Sequence, residues 1–432
     1  MKKIIPFLLV VLLISSCLPQ NVQVPQSPLL STLERKSGLI AYIGIDGNMY
    51  VSDQGGGKLS QLTKDASATN QSGEFNFYQL PTWSLDGNQL AFVGTSGTSS
   101  NPTSKLYVAN IADEKTHEIY ASQSELPIYL YWSPDDANVS FISTSVSGQS
   151  LILQSVPAAG GERTIIDTGS PYYWSWAPDG RTLITHSGGA QNSTTPEHLA
   201  FIQLQDSDII EDGLDTKPAS FQAPAWSPDG SHILLTRSAD GKKEIILTDG
   251  TGVFEKSLGS FKLNTAFGWS SDSQKVAFID GTQSMAAGVI GALNVVDIET
   301  DKKVSVGENV VAFYWSPNSE KVAYFIPLLM NDPAGGTDAQ SQQLLLQLNM
   351  LDVKTGESRE LFTYQPTEQF KSILPYFDQY HQSNTIWSPD NNNLVLSFID
   401  QEGNPGIAIV AASGQLEPRQ LAQGYLAFWS WK

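Results

Sequence analysis

A tryptophan, a small residue, a tight turn and a short apolar run recur seven times along the 432 residues. The copies are PTWSLDGNQLAF from Pro81, LYWSPDDANVSF from Leu130, SWAPDGRTLI from Ser175, PAWSPDGSHILL from Pro224, FGWSSDSQKVAF from Phe267, FYWSPNSEKVAY from Phe313 and TIWSPDNNNLVL from Thr385. A partial eighth copy, FWSWK, ends the sequence. Self-similarity at such a period is the mark of a stacked or circular array, and it constrains the fold more than any other feature of the chain.

The segment Trp226-Ser227-Pro228-Asp229-Gly230 fits a type I turn position by position. Ser caps the first place, Pro presets φ at the second, and Asp and Gly suit the third and fourth. A Trp strand before the turn and an alternating apolar run after it then make an antiparallel hairpin. More strand-like sequence follows in each unit, such as EIILTD (244–249) and LLLQLNMLDV (344–353), with no amphipathic helical period between. Taking Trp176 as the aligned residue of its unit, successive tryptophans (Trp83, Trp132, Trp176, Trp226, Trp269, Trp315, Trp387, Trp429) lie 49, 44, 50, 43, 46, 72 and 42 residues apart. Four short strands in such a length make one blade of a β-propeller. Burying one indole removes roughly 150–250 Å² from water, worth roughly 4–6 kcal/mol before entropy is deducted. The repeated tryptophans therefore read as core rather than as a sugar-stacking row.

The two ends complement each other. The chain finishes on a Trp strand, YLAFWSWK, with no strands after it, whereas GLIAYIG, NMYVSD and KLSQLT near the start lack a preceding Trp strand. Joined, they complete one blade and remove the exposed strand edges. The expected fold is all-β: a single β-propeller of four-stranded antiparallel blades over residues 37–432. Eight blades are expected, with seven as the alternative, and the C-terminal strand closes the ring on the N-terminal blade.

The first seventeen residues stand apart. Lys2 and Lys3 precede an apolar stretch, Ile4 to Ile14, that is too short for a membrane span. It reads as a secretory leader. The only cysteine, Cys17, follows Ile14-Ser15-Ser16 and resembles a bacterial lipobox, in which the thiol is lipidated. Removing Lys2 and Lys3 from 25 basic residues leaves 23 against 44 acidic ones, a net charge of −21 for the mature chain. Such a chain repels phosphate backbones, which argues against nucleic acid as a partner. Residues 18–36, rich in Gln, Pro, Ser and Val, read as a flexible tether.

The Trp-Ser-Pro-Asp-Gly motif with its following apolar triplet resembles the repeat of TolB-type, WD40-like propellers. The same repeat occurs in the propeller domains of dipeptidyl-peptidase and prolyl-oligopeptidase enzymes. The resemblance spans essentially Gly38 to Lys432 and implies the fold. It does not imply TolB itself, which resembles a smaller propeller behind an α/β domain for which these residues leave no room. Nor does it imply a peptidase, because no Gly-x-Ser-x-Gly elbow occurs.

Catalytic constellations are sparse. His117, His186, His198, His232 and His381 are scattered over different units and read as surface histidines. The acidic run Asp206, Asp208, Glu211, Asp212, Asp215 lacks regular calcium-loop spacing. The aspartates of the repeat are turn residues. No metal site and no cofactor are expected.

Extra residues cluster in the Trp315 unit, as insertions at 326–343 and 364–384. Strand order places both on the face opposite the Trp turns, where other long loops also fall, and function usually sits on such loops. Tyr376, Phe377, Asp378, Tyr380 and His381 are candidate binding residues there. An alternative reading has this insertion capping the central channel, with its aromatics packed on neighbouring blades. The functional expectation is a lipid-anchored, extracytoplasmic, monomeric binding module of the cell envelope, engaging a protein, peptide or glycan through the loop-rich face and the membrane through lipid alone. The alternatives are a propeller lyase or glycosidase acting on an extracellular polymer, and a TolB-like scaffold.

Overall fold

Wherever the Trp motif occurs, an antiparallel sheet forms whose strands follow chain order. The computed structural model describes residues 23–26, 34–144, 148, 150–188, 196–205, 208–285, 288–331 and 342–432. Residues 1–22 with Cys17, residues 27–33, Asp206 and the centre of the 326–343 insertion lie outside the described residues. Five four-stranded sheets occupy residues 74–122, 127–169, 172–213, 225–261 and 265–310. The second strand of each unit carries a run of consecutive buried residues. Ile233, Leu234 and Leu235 are all fully buried, as are Leu90, Ala91, Phe92 and Val93. A strand needs such continuity when both faces of its sheet are covered. Outer strands are wetter; Ile209–Gly213 is exposed throughout.

The remaining strands form one ten-stranded sheet in which the two chain ends meet. The last strand, Arg419–Trp429, is shared between two partners. Its first half pairs with Pro405–Ala411 (Gly406 opposite Gln423), and its second half pairs with Ile40–Gly44 (Ile40 opposite Trp429). The complementary ends of the sequence are thus hydrogen-bonded neighbours.

The tryptophans do more than fill space. The Trp132 indole donates to the carbonyl of Thr82, Trp269 to Ala225, Trp315 to Gly268 and Trp387 to Tyr314, at 2.9–3.3 Å. Each acceptor is the residue just before the Trp of the preceding unit. Trp83 donates in the same way to Phe428, across the two ends of the chain, at 3.2 Å. Trp176 reaches the equivalent Tyr131 carbonyl through the Ser140 hydroxyl, with legs of 3.1 and 2.6 Å. Two indoles break the pattern: Trp226 donates to Gly230 of its own turn, and Trp429 to Ser37. Trp83, Trp132, Trp176, Trp387 and Trp429 are buried, whereas Trp226, Trp269 and Trp315 keep partial exposure.

The turns are also coupled. In each Ser-containing copy but one, the Ser hydroxyl donates to the third-position side chain, as in Ser227 to Asp229 and Ser388 to Asp390, both at 2.7 Å. The same oxygen accepts the N–H five residues on. Asp136, Ser273, Ser319 and Asn391 stand where the motif has Gly, and all adopt positive φ (56, 59, 60 and 65°). An L residue is strained there. Each accepts a backbone N–H from the turn of the preceding unit: Asp136 from Leu85 and Asp86, Ser273 from Asp229, Ser319 from Asp272, and Asn391 from Asn318. The hydrogen bonds offset the strain.

The tether differs from its sequence reading where it is described. Val24 forms a parallel bridge with Leu416, donating to Gln415 O at 2.8 Å and accepting from Glu417 N at 3.0 Å. Gln23 and Gln26 add side-chain bonds to Leu361 and Glu417 carbonyls. Pro, Gln and Val have no helical preference here, and an extended strand edge gives their backbone polar groups partners.

Candidate functional site: an axial plug

The second insertion, at 364–384, is helical, which the sequence reading did not anticipate. Phe370, Ile373, Leu374 and Phe377 have the i, i+3, i+4, i+7 spacing of an apolar helix face. Thr367 caps α1 (Glu368–Ile373), its hydroxyl accepting from Phe370 N and donating to Tyr425 O at 2.6 Å. Pro375 divides the segment, which passes through a 3₁₀ turn, Leu374–Tyr376, into α2 (Phe377–Ser383). The apolar spacing was legible but short, and Pro375 obscured it.

α2 lies where the inner strands of five successive units converge. Tyr380 packs edge-on against Tyr129, centroids 4.9 Å apart, and its hydroxyl lies 3.4 Å from Ile128 O. Gln379 behaves like a piece of strand: its amide accepts from Trp174 N at 2.9 Å and donates to Trp174 O at 2.9 Å. The Tyr129 hydroxyl donates to the Gln379 carbonyl at 3.0 Å. Asp378 Oδ2 accepts from Ala223 N at 2.8 Å, and Gln382 donates to Pro224 O at 2.9 Å. Phe377 packs against Phe313 and Tyr314, with centroids at 5.0 and 5.7 Å, and stacks on His381 at 4.8 Å. Two glycines admit the plug. A Cβ on Gly268 would stand 2.4 Å from His381 Nε2, and one on Gly288 2.9 Å from Pro375 Cα.

Burial sets the electrostatics. Loss of solvent raises the Asp378 carboxyl from 3.8 to about 7, against the lowering pull of its hydrogen bonds from Ala223 and Gln379 N–H groups and from Tyr173. Burial also lowers His381 from 6.5 to about 4. Tyr173 is pushed well above its ordinary value by burial and by the nearby Asp378 charge.

Of the expected contact residues, only Tyr376 faces solvent, at 52% exposure. Phe377 and Asp378 are buried, and Tyr380 and His381 are half-buried. The reading of these five as one exposed aromatic surface is corrected for Phe377 and Asp378. Their packing is that of the channel-capping alternative, because the inner strands offer a dry, hydrogen-bonding wall that an apolar helix fills. The surface-histidine reading is likewise corrected for His186, which is 1% exposed, bonded to Gln222 O, and lowered by burial to about 4. His198 and His232 pair with Glu211 and Glu255 across strands. Among the described residues no group of three His, Cys, Asp or Glu side chains could hold a metal ion. No helix among them is long and apolar enough to cross a membrane.

Repeated four-stranded antiparallel sheets in chain order give a β-propeller fold, similar to that of TolB-like propellers. The family model of the TolB β-propeller domain matches residues 59–265. Among solved structures, the dihydro-heme d1 dehydrogenase NirN in complex with DHE is 13% identical with a TM-score of 0.51, covering 95% of this chain and 77% of that one. TolB from Acinetobacter baumannii is 13% identical (TM-score 0.37; 80% and 84% covered), and an oligogalacturonate lyase in complex with manganese is 13% identical (TM-score 0.49; 87% and 97%). At such identities the likeness is one of fold. No curated protein matches the sequence.

Proposed function

We propose that this chain is a lipid-anchored, extracytoplasmic β-propeller that binds a protein, peptide or glycan of the cell envelope through its loop-bearing face, as a monomer. The observation that carries this reading is the plug. It fills the axis with Phe377, Asp378 and Gln379, all buried, where a catalytic propeller would need a polar, accessible channel. On the same face, strand ends and loops leave Phe77, Ile128, Leu329, Met330 and Tyr376 exposed at 40–57%. Apolar side chains offered to water beside the plug suit a partner surface. The lipobox-like run ending at Cys17 supports placement in the envelope.

The blade count belongs to the same proposal. The ten-stranded sheet divides into three blades: 312–366; Thr385–Trp387 with 393–399, 405–411 and the first half of 419–429; and the second half of that strand with residues 40–61. With the five separate sheets this makes eight. The Trp83 bond to Phe428 supports closure through the last of them.

A photoreactive side chain at Tyr376 should crosslink to an envelope component in the intact cell, while one at Asp86 on the turn face should not. Equal crosslinking from both positions, or none from Tyr376, would overturn binding through this face.

A further inference from the structure

Gln23 is only six residues beyond Cys17, and from Gln23 to Gln26 the chain is already fastened to the propeller. The fastening is specific. Val24 pairs with Leu416 through two backbone hydrogen bonds, Gln23 and Gln26 bond carbonyls of Leu361 and Glu417, and Arg419 reaches both Gln26 (3.3 Å) and Glu34 (2.9 Å). Strand order puts the Ser413–Glu417 turn at the rim of the Trp-turn face, between the third and fourth strands of its unit.

We infer that residues Gln23–Gln26 are a latch that holds the Ser413–Glu417 rim of the Trp-turn face against the lipid surface. The inference rests on Cys17 carrying the anchor. Six residues span at most about 20 Å even when fully extended. Were the chain first held at Glu34, seventeen residues would allow about 60 Å, enough for the body to tumble. The latch therefore decides between a propeller pinned by one rim and one on a loose leash. Pinned by the turn face, it keeps Tyr376 and the loops pointed away from the bilayer, toward a partner.

The chain has no cysteine other than Cys17, so one engineered thiol takes one label. Full-length lipidated protein, in phosphatidylethanolamine–phosphatidylglycerol vesicles carrying a headgroup energy acceptor, would be labelled at Ser413→Cys or at Glu162→Cys. The second position is in an exposed turn of the Trp132 unit on the same face, far round the ring. Transfer should be clearly stronger from Ser413→Cys, and the difference should collapse when Gln23→Ala, Val24→Pro and Gln26→Ala release the latch. Equal transfer from both positions in the latched protein overturns the inference. If the chain never enters the vesicles, the anchor reading fails instead, and the latch is then read by hydrogen exchange. Val24 and Glu417 amides should exchange slowly and lose protection in the released variant; fast exchange in the unaltered chain overturns the latch itself.

Discussion

Asp229 on the turn face and Asp378 in the plug are the same residue under opposite forces. Although partial burial would raise it, the Asp229 carboxyl is held down at about 2 by the Ser231 N–H and the Ser227 and Ser231 hydroxyls. Asp378 has comparable hydrogen bonds, yet burial wins and lifts it to about 7. The turn face is a repeated, solvated device whose side chains are each satisfied within a few residues or by the next turn. The plug is built once and draws its hydrogen-bond partners on the inner strands from about 150 to 250 residues away. A repeat spreads its cost over many copies, whereas a single central element concentrates it.

That contrast predicts unequal damage. The largest effect belongs to Phe377→Ala, which leaves a cavity among Phe313, Tyr314 and His381 and should cost about 3–5 kcal/mol in denaturant unfolding. Gln379→Ala should come next, at about 1–3 kcal/mol, because it strands the buried Trp174 backbone groups. Equal losses from these and from turn variants would erase the distinction between the regions.

The pH dependence sharpens it. The folded chain keeps a proton on Asp378 up to about pH 7, whereas the unfolded chain loses it near 3.8, so this group's contribution falls as pH rises between those values. His381 and His186 act oppositely: with folded values of about 4 against 6.5, they cost stability as pH falls through that window. Turn carboxylates such as Asp229 add stability above 3.8 that is lost as pH drops toward 2. Asp378→Asn should therefore raise the unfolding midpoint at pH 8 and barely change it at pH 4, whereas Asp229→Asn should lower it at pH 8, where the stabilising carboxylate is lost. An Asp378→Asn profile parallel to the parent's would contradict a carboxyl held neutral by burial.

The smallest effect should be at the turns. Ser388→Ala removes a donor to Asp390 and an acceptor for Asn393 N, for about 1 kcal/mol. Asn391→Gly should fall below that, since relief of positive φ offsets the lost bond to Asn318.

How much of this was written locally follows the same division. The Trp strand, its turn and the four-strand unit were legible because each rests on neighbours a few residues apart repeated seven times, and the meeting of the chain ends because each end lacks the strands that the other supplies. The turn-to-turn bonds of Asp136, Ser273, Ser319 and Asn391 were visible only as departures from Gly, with nothing to say what the side chains reached. The plug was read as an insertion with a capping alternative, but its helix was missed. A single amphipathic turn split by Pro375 carries little periodic signal, and its partners Tyr129, Trp174 and Ala223 are set by tertiary geometry. Docking of Gln23–Gln26 was invisible for a related reason: a Pro- and Gln-rich strand looks alike whether or not an edge receives it.

One junction gains a meaning from these bonds. Between the Trp176 and Trp226 units neither coupling device operates, since the Trp226 indole turns back to Gly230, and Gly230 has no side chain to offer the preceding turn. Across this gap the plug binds Trp174 on one side through Gln379 and Ala223 on the other through Asp378. This junction, crossed by the Trp226 N–H bond to the Ser175 hydroxyl, is thus thinly coupled, and the plug is a removable clasp on the later half of the chain. Cut in the strandless stretch after Gly213, the two halves would make a split protein whose reassembly could report any event that brings them together.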